Sequence, residues 1–423
     1  MADALAPIRE VGSVAEISAL AEKARPAAMP NNAHLHLPPN FSAFTTVRQV
    51  LELADAQNCR IVGASNYYDY SVYSDFAAMG RQKNVFPLFG LEIICMIEEL
   101  RAGGIKINDP GNPGKMYICG KGIVKFTSMS PGAQRILGTI RKNDSERTSK
   151  MVDRLARVLA ERGLPNQVTA ATVIDMIVRR HGVARETVYL QERHVAQALQ
   201  EYIFAQVPAA ERAAKLTALL GAAPKIKSPE DFVGVQNDLR SHLMKAGKPG
   251  YVAETFIEFG PAMQLISELG GFASYPILAD GSSPICPFED PVEKLIGSLK
   301  ERRIYAAELI TGRNSLATAT AYAKAVRAAG VIVTVGTEHN TLDLIGMVPV
   351  CLKNEAVPAE LQAIFYEGAC VIAAHQFLVA QGKVGYVDGR GNLNPRYGTA
   401  EERIAALAKL GDTVIRKYLG IGK

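Results

Sequence analysis

The sequence predicts an α/β barrel, a TIM-type arrangement of strands wrapped by helices, interrupted by a mostly helical insertion. Short apolar runs rich in β-branched residues alternate with helical patterns up to about residue 100 and again after Gly250, the pattern of parallel strands covered by helices. Between residues 130 and 249 helical periodicity stands almost alone. Polar clusters fall at the ends of the apolar runs, where barrels of this kind gather function. The chain of 423 residues therefore divides into 1–129, the first part of the barrel; 130–249, a helical insertion or subdomain; and 250–423, the rest of the barrel with carboxyl-terminal helices.

Helical spacing of Val11, Val14, Ile17, Leu20 and Ala21 predicts an opening helix, closed off by Pro26 and Pro30. The run Asn32-Ala33-His34-Leu35-His36-Leu37 predicts a strand. Thr45 or Thr46 caps a helix bearing Val47, Val50, Leu51 and Ala54, and Ile61-Val62-Gly63-Ala64 is a buried strand ending at Asn66-Tyr67. Val85 to Cys95 is another strand. Asn108 to Lys115 lacks the phosphate-cradling pattern, because Met116 follows the lysine, and reads as a turn before a strand from Met116 to Cys119. Met151, Leu155, Val158 and Leu159 mark a helix of the insertion. Strands resume at Phe272 to Pro276, Tyr305 to Ile310 and Val331 to Val335, and Ile404, Leu407, Leu410 and Val414 predict a closing helix.

Two features in this order carry chemistry. In an extended strand alternate side chains share a face, so His34 and His36 project together, as two imidazole ligands of one metal ion would. A half-buried strand with two hydrogen-bonded histidines explains the same spacing. Glu92 lies among Leu91, Ile93 and Ile94, and a carboxylate in such a run is either at an edge facing water or compensated by a base or a metal ion. His181, His242 and His375 lie in helical stretches without partners in the pattern and read as structural.

Composition narrows the classes. Against 42 acidic residues there are 47 basic ones, too even a balance to indicate a nucleic-acid or membrane surface. The six cysteines are scattered and form no paired motif, as in reduced, buried thiols of a cytosolic protein. The amino terminus lacks the pattern of a secretion signal, and no run approaches the ~18 uncharged apolar residues of a membrane span. A cytoplasmic globular protein is expected, with its state of assembly left open.

Taken together, these stretches resemble the PHP (polymerase and histidinol phosphatase) superfamily. The order of His34-Leu35-His36, Gly90-Leu91-Glu92, Arg193-His194-Val195-Ala196 and Gly336-Thr337-Glu338-His339 is similar to that family's successive motifs, and Glu308 to Asn314 resembles the strand before the last of them. The resemblance implies a distorted barrel of seven strand-helix units with a metal cluster at the strand ends and hydrolysis of phosphate esters. Asn66-Tyr67, Met116-Tyr117 and Ser274-Tyr275-Pro276 stand where the family has histidine or aspartate ligands, so a reduced centre is implied: one or two divalent ions of zinc, manganese or iron. His34, His36 and Glu92 would hold the first ion, with His194, His339 and Glu338 completing it or holding a second.

The function so implied is a phosphoesterase acting on a small phosphorylated metabolite or nucleotide through metal-activated water, with Arg193, Arg313 or Lys115 neutralising the anion and Tyr67 or Tyr275 donating a hydrogen bond or proton. Two rivals keep the fold: a metal-dependent amidohydrolase- or isomerase-like enzyme acting on a carbonyl or sugar, and a binding protein whose reduced site does not turn over.

Overall fold

In the computed structural model, which describes residues 3–23 and 27–421, each apolar run named above becomes a strand. These are β1 (Asn31–Leu35), β2 (Ile61–Ala64), β3 (Phe86–Met96) and β4 (Lys115–Lys121), then a two-residue β5 (Ile257–Glu258), β6 (Phe272–Ile277), β7 (Ala306–Leu309) and β8 (Ile332–Val335). They hydrogen-bond in the order β1-β2-β3-β4-β6-β7-β8, with β5 beside β3. The sheet closes on itself where His36 N donates to Glu338 O and Glu338 N donates to His34 O, each at 3.0 Å. A closed sheet has helices outside and side chains inside, so β1, β2, β7 and β8 are buried along their whole length.

One strand departs from the parallel expectation. β4 runs antiparallel to both β3 and β6. A parallel return needs a crossover of a dozen or more residues, usually helical, and the only helix between β3 and β4 is the five-residue Glu98–Ala102. The chain therefore turns back beside β3 instead of crossing the barrel.

The barrel helices follow the spacing read from the sequence. Val47–Ala56 starts where the Thr46 hydroxyl accepts from Gln49 N, and it buries Val47, Val50, Leu51 and Ala54. The valine and leucine side chains each contribute about 1.5–3 kcal/mol relative to exposure. The opening helix is shorter than its pattern, Val14–Ala21 capped by Ser13, with Leu20 left exposed; Pro26 lies outside the described residues. Helix Ala359–Ala380 is long and apolar enough to cross a membrane, yet 72% of its apolar window is buried. Glu367 and His375 interrupt it, which is why no uninterrupted run of that length stands in the sequence. It packs on β8 and on helix Ala400–Leu419 as a core element. All six cysteines are buried and free.

The helical stretch has a hydrophobic core of its own. Helices Pro131–Glu161, Ala170–His181, Glu192–Gln206, Ala209–Leu220 and Phe232–Leu239 bury Met151, Leu155, Leu159, Leu199 and Leu239 against one another. Phe232–Leu239 continues into a π-helical turn, Arg240–Met244. This unit stands over the ends of the strands, and a cavity of about 600 Å³ lies between the two, walled by His36, Tyr67 and Glu92 on one side and Arg193, Arg240 and Tyr251 on the other.

Candidate metal centre

The pleat of β1 and the residue beyond it bring His34 and His36 toward Glu92 of β3. His34 Nε2 and His36 Nε2 each lie 3.3 Å from Glu92 Oε2. The three side chains are buried, with 1%, 1% and 5% of each exposed. All three of these atoms lack a hydrogen-bond partner. Three buried polar atoms converging on one point without partners would be costly, and a divalent cation satisfies them together. Their imidazole and carboxylate chemistry suits zinc, manganese or iron, and the trio can hold a metal ion.

A second layer fixes these ligands. His34 Nδ1 donates to Glu308 Oε1 at 2.7 Å, because an ionised carboxylate only accepts, so a neutral His34 turns its Nε2 lone pair toward Glu92. Glu308 Oε2 in turn pairs with Lys121 Nζ at 2.6 Å. The Tyr67 hydroxyl donates to Glu92 Oε1 at 2.7 Å, and its ring stacks on His36 with centroids 5.1 Å apart. Asn66 pins the chain after His36, accepting from Leu37 N at 2.8 Å and donating to Leu37 O at 3.0 Å. Gly336 is required beside β1, since a Cβ there would meet the Cβ of His34 at 2.4 Å.

The charges follow from these contacts. Burial works against the Glu92 carboxylate, but the close approach of His34 and His36 holds its carboxyl well below the usual range. Against burial, the Glu308 carboxylate raises His34 from 6.5 to about 9, so an ion entering the trio would displace the proton on His34 Nε2. Glu308 is treated likewise: against burial, Lys121 and His34 draw it down to about 2. Burial, reinforced by the Glu92 charge, pushes the Tyr67 phenol up, so it stays a hydroxyl and a donor.

The other ligands implied by the resemblance stand elsewhere. His194 accepts from Gln191 N through Nδ1 at 3.1 Å and sets its ring edge against Phe41; burial pushes it down to about 3. His339 has both nitrogens engaged, with Thr337 Oγ1 at 2.7 Å and Ile345 O at 3.1 Å, which leaves no lone pair for an ion. Glu338 faces the cavity but is forked to the guanidinium of Arg313, with Nη1 to Oε1 at 2.8 Å. Glu338 and His339 both have positive φ, 59° and 49°, and this left-handed step carries the chain away from the closing strand. Among the described residues, the ligating groups that converge are His34–His36–Glu92 and His34–Cys119–Glu308.

Among the residues proposed for substrate or proton handling, Tyr67, Arg193, Arg313 and Lys115 line the cavity. Tyr275 does not: its neighbour Pro276 faces the cavity, so the pleat turns Tyr275 to the other side, where its hydroxyl donates to Glu289 Oε1 at 2.8 Å. Lys115 is already paired with Asp109 and Glu254, both at 3.0 Å. Arg193, by contrast, forms no hydrogen bond or ion pair among the described residues. Burial and the neighbouring Arg240 push it down to about 10, so it remains charged at neutral pH. Glu308 and Lys121 were not singled out from the sequence as site residues, although Glu308, inside the run Ala306-Ala307-Glu308-Leu309, carries the same signal that marked Glu92.

No protein-family model matches the chain, and no curated protein matches it. Solved structures do, among them two from bacteria. One is an amidohydrolase from Chromobacterium violaceum solved with bound sulfate and no metal: 17% identity, 79% of this chain and 96% of that chain, TM-score 0.50. The other, from Bifidobacterium adolescentis, is provisionally named a metal-dependent phosphoesterase: 14% identity, 80% of this chain and 96% of that chain, TM-score 0.51. Likeness at this level of identity establishes the fold alone, and it is a distorted TIM-type barrel, as the alternation of strands and helices predicted.

Proposed function

We propose that the chain is a metal-dependent hydrolase that cleaves phosphate esters of small molecules. The observation that carries the reading is Arg193. Of the cations lining the cavity, Lys115, Arg147, Arg240, Lys245 and Arg313 each have a carboxylate partner, and Arg193 alone has none among the described residues. A half-buried, unpaired guanidinium in the same cavity as His36 and Glu92 calls for an anion from outside, and a planar fork of donors suits a phosphoryl group.

A divalent ion held by His34 Nε2, His36 Nε2 and Glu92 Oε2 would supply Lewis acidity toward a phosphoryl oxygen and make water a better nucleophile near neutral pH. The chain's own residues do the rest. Glu308 sets the tautomer of His34, Tyr67 holds Glu92 in place through Oε1, and Arg193 binds and orients the anion. Arg313, already neutralised by Glu338, contributes donors rather than net charge. The helical unit over the cavity limits access of bulk water, which strengthens each of these interactions.

The test begins with elemental analysis of the purified protein. Phosphate release from simple phosphomonoesters is then assayed with zinc, manganese or iron present, beside amide, lactone and sugar substrates. Bound metal with phosphate release that is lost in His36→Ala supports the reading. Bound metal with turnover of the carbonyl or sugar substrates and no phosphate release favours the amidohydrolase- or isomerase-like alternative. Absence of bound metal, with His34→Ala indistinguishable from the parent in ligand binding, leaves a binding protein.

A further inference from the structure

The His34–Cys119–Glu308 cluster is the other place where ligating atoms converge, and it shares His34 with the first. Each of its members is already committed. His34 Nδ1 spends its proton on Glu308 Oε1 at 2.7 Å. Glu308 Oε2 lies 2.6 Å from Lys121 Nζ. Cys119 Sγ is 3.9 Å from His34 Nδ1, whose proton is directed at Glu308.

Lys121 is itself unusual. Its side chain is 2% exposed, and its ammonium lies inside the barrel, 3.1 Å from Ala33 O and 3.4 Å from Ser65 Oγ as well as beside Glu308. A fixed positive charge thus sits against the one carboxylate that a second ion would need. The barrel interior compensates Glu308 from within the chain.

We propose that Lys121 takes the place of a second metal ion as an internal cation, so that the centre holds a single ion at His34, His36 and Glu92. This rests on the metal-centre reading above. It assigns to Lys121 a positioning role: by pairing with Glu308 Oε2 it holds the other carboxylate oxygen directed at His34 Nδ1, and it excludes a further dication by its charge. A second ion here would also require Nδ1 of His34 to give up its proton to become a bridging imidazolate, a change that the Glu308 contact opposes.

Metal stoichiometry tests the proposal without recourse to turnover. The apoprotein is titrated with Co²⁺ or Zn²⁺ in calorimetry, and the product is gel-filtered and analysed for metal. The parent chain is expected to bind one equivalent even with the metal in excess. Lys121→Met removes the charge at nearly constant length and is expected to bind a second equivalent; with Co²⁺, the thiolate of Cys119 would announce it by a near-ultraviolet charge-transfer band absent from the parent. Two equivalents in the parent overturn the proposal while leaving the metal-centre reading intact. One equivalent in a folded Lys121→Met also overturns it. No bound metal in the parent overturns the reading beneath it and the proposal together. If Lys121→Met does not fold, Lys121→Gln, which keeps a polar end beside Ala33 O and Glu308 without the charge, is titrated in its place: two equivalents support the proposal and one overturns it.

Discussion

The ring of Tyr67 lies 11° from parallel to that of His36, while its hydroxyl donates to Glu92 Oε1 at 2.7 Å. One side chain thus braces two of the three converging ligands. Tyr67→Phe keeps the stacking and removes the hydrogen bond. Losing such an outer partner typically weakens metal binding by about 10–100-fold. Competition of the variant against a chromophoric chelator is expected to show a loss in that range with unchanged circular dichroism. Equal affinity would mean that Glu92 needs no help from Tyr67.

Arg193 is expected to act on the substrate alone. Arg193→Ala should leave metal content unchanged and raise KM for a phosphomonoester by about 10–150-fold, the equivalent of about 1.5–3 kcal/mol for a charge-assisted hydrogen bond. Arg193→Lys keeps the charge but loses the fork and should fall between. Steady-state kinetics on the metal-loaded proteins decides it. A change confined to kcat would point to a different role.

Gly336 and Gly138 offer a matched pair. A Cβ on Gly336 would meet His34 Cβ at 2.4 Å and His34 O at 2.9 Å, whereas nothing lies within 4 Å of a Cβ on Gly138. Gly336→Ala is expected to cost about 1–3 kcal/mol and to displace His34, lowering metal uptake. Gly138→Ala, on the exposed face of helix Pro131–Glu161, is expected to gain about 0.5–1 kcal/mol. Urea unfolding of the two variants should move in opposite directions.

His375 sets an acid limit on stability. Its Nε2 donates to Gly270 O at 2.7 Å and its Nδ1 accepts from Tyr386 N at 2.9 Å, so the folded chain holds it neutral. Burial pushes it down from 6.5 to about 4. Above pH 6.5 neither state binds the proton and the residue contributes no pH dependence. As pH falls from there to about 4, the unfolded chain takes up a proton that the folded chain refuses, and stability declines. At about pH 5 the loss from this one group is about 2 kcal/mol. His194 and His339, pushed down to about 3 and about 4, act in the same direction. Urea midpoints measured at about pH 7.5 and about pH 5 should fall steeply for the parent and less steeply for His375→Gln. Parallel slopes would remove His375 from the account.

The sequence was informative where a local rule decides the outcome. Period-two alternation was enough to pair His34 with His36, and the improbability of a buried carboxylate was enough to mark Glu92. The same rule reaches Glu308 in the run Ala306–Leu309. Lys121 stands between two glycines just past the run Met116–Cys119, outside the strand that the sequence predicts. The direction of β4 was hidden because an apolar run has no polarity; the short connection decides it. Tyr275 was lost to pleat parity, a one-residue matter that only the register of β6 resolves. His339 shares its motif with Glu338, yet a left-handed turn and the contacts of Thr337 and Ile345 determine where its ring goes. That Arg193 lacks a partner is a property of five other cations and their carboxylates, spread over more than a hundred residues.

The cavity draws its two walls from two separately packed cores. Substitutions on Glu192–Gln206 or the π-helical turn alter the wall opposite His36 and Glu92, and their apolar support, Leu155 and Leu199, belongs to a different core from that of β1 and β3. Chemistry and taste are thereby housed apart. Such a chain can change its diet in evolution without putting its ligand cage at risk.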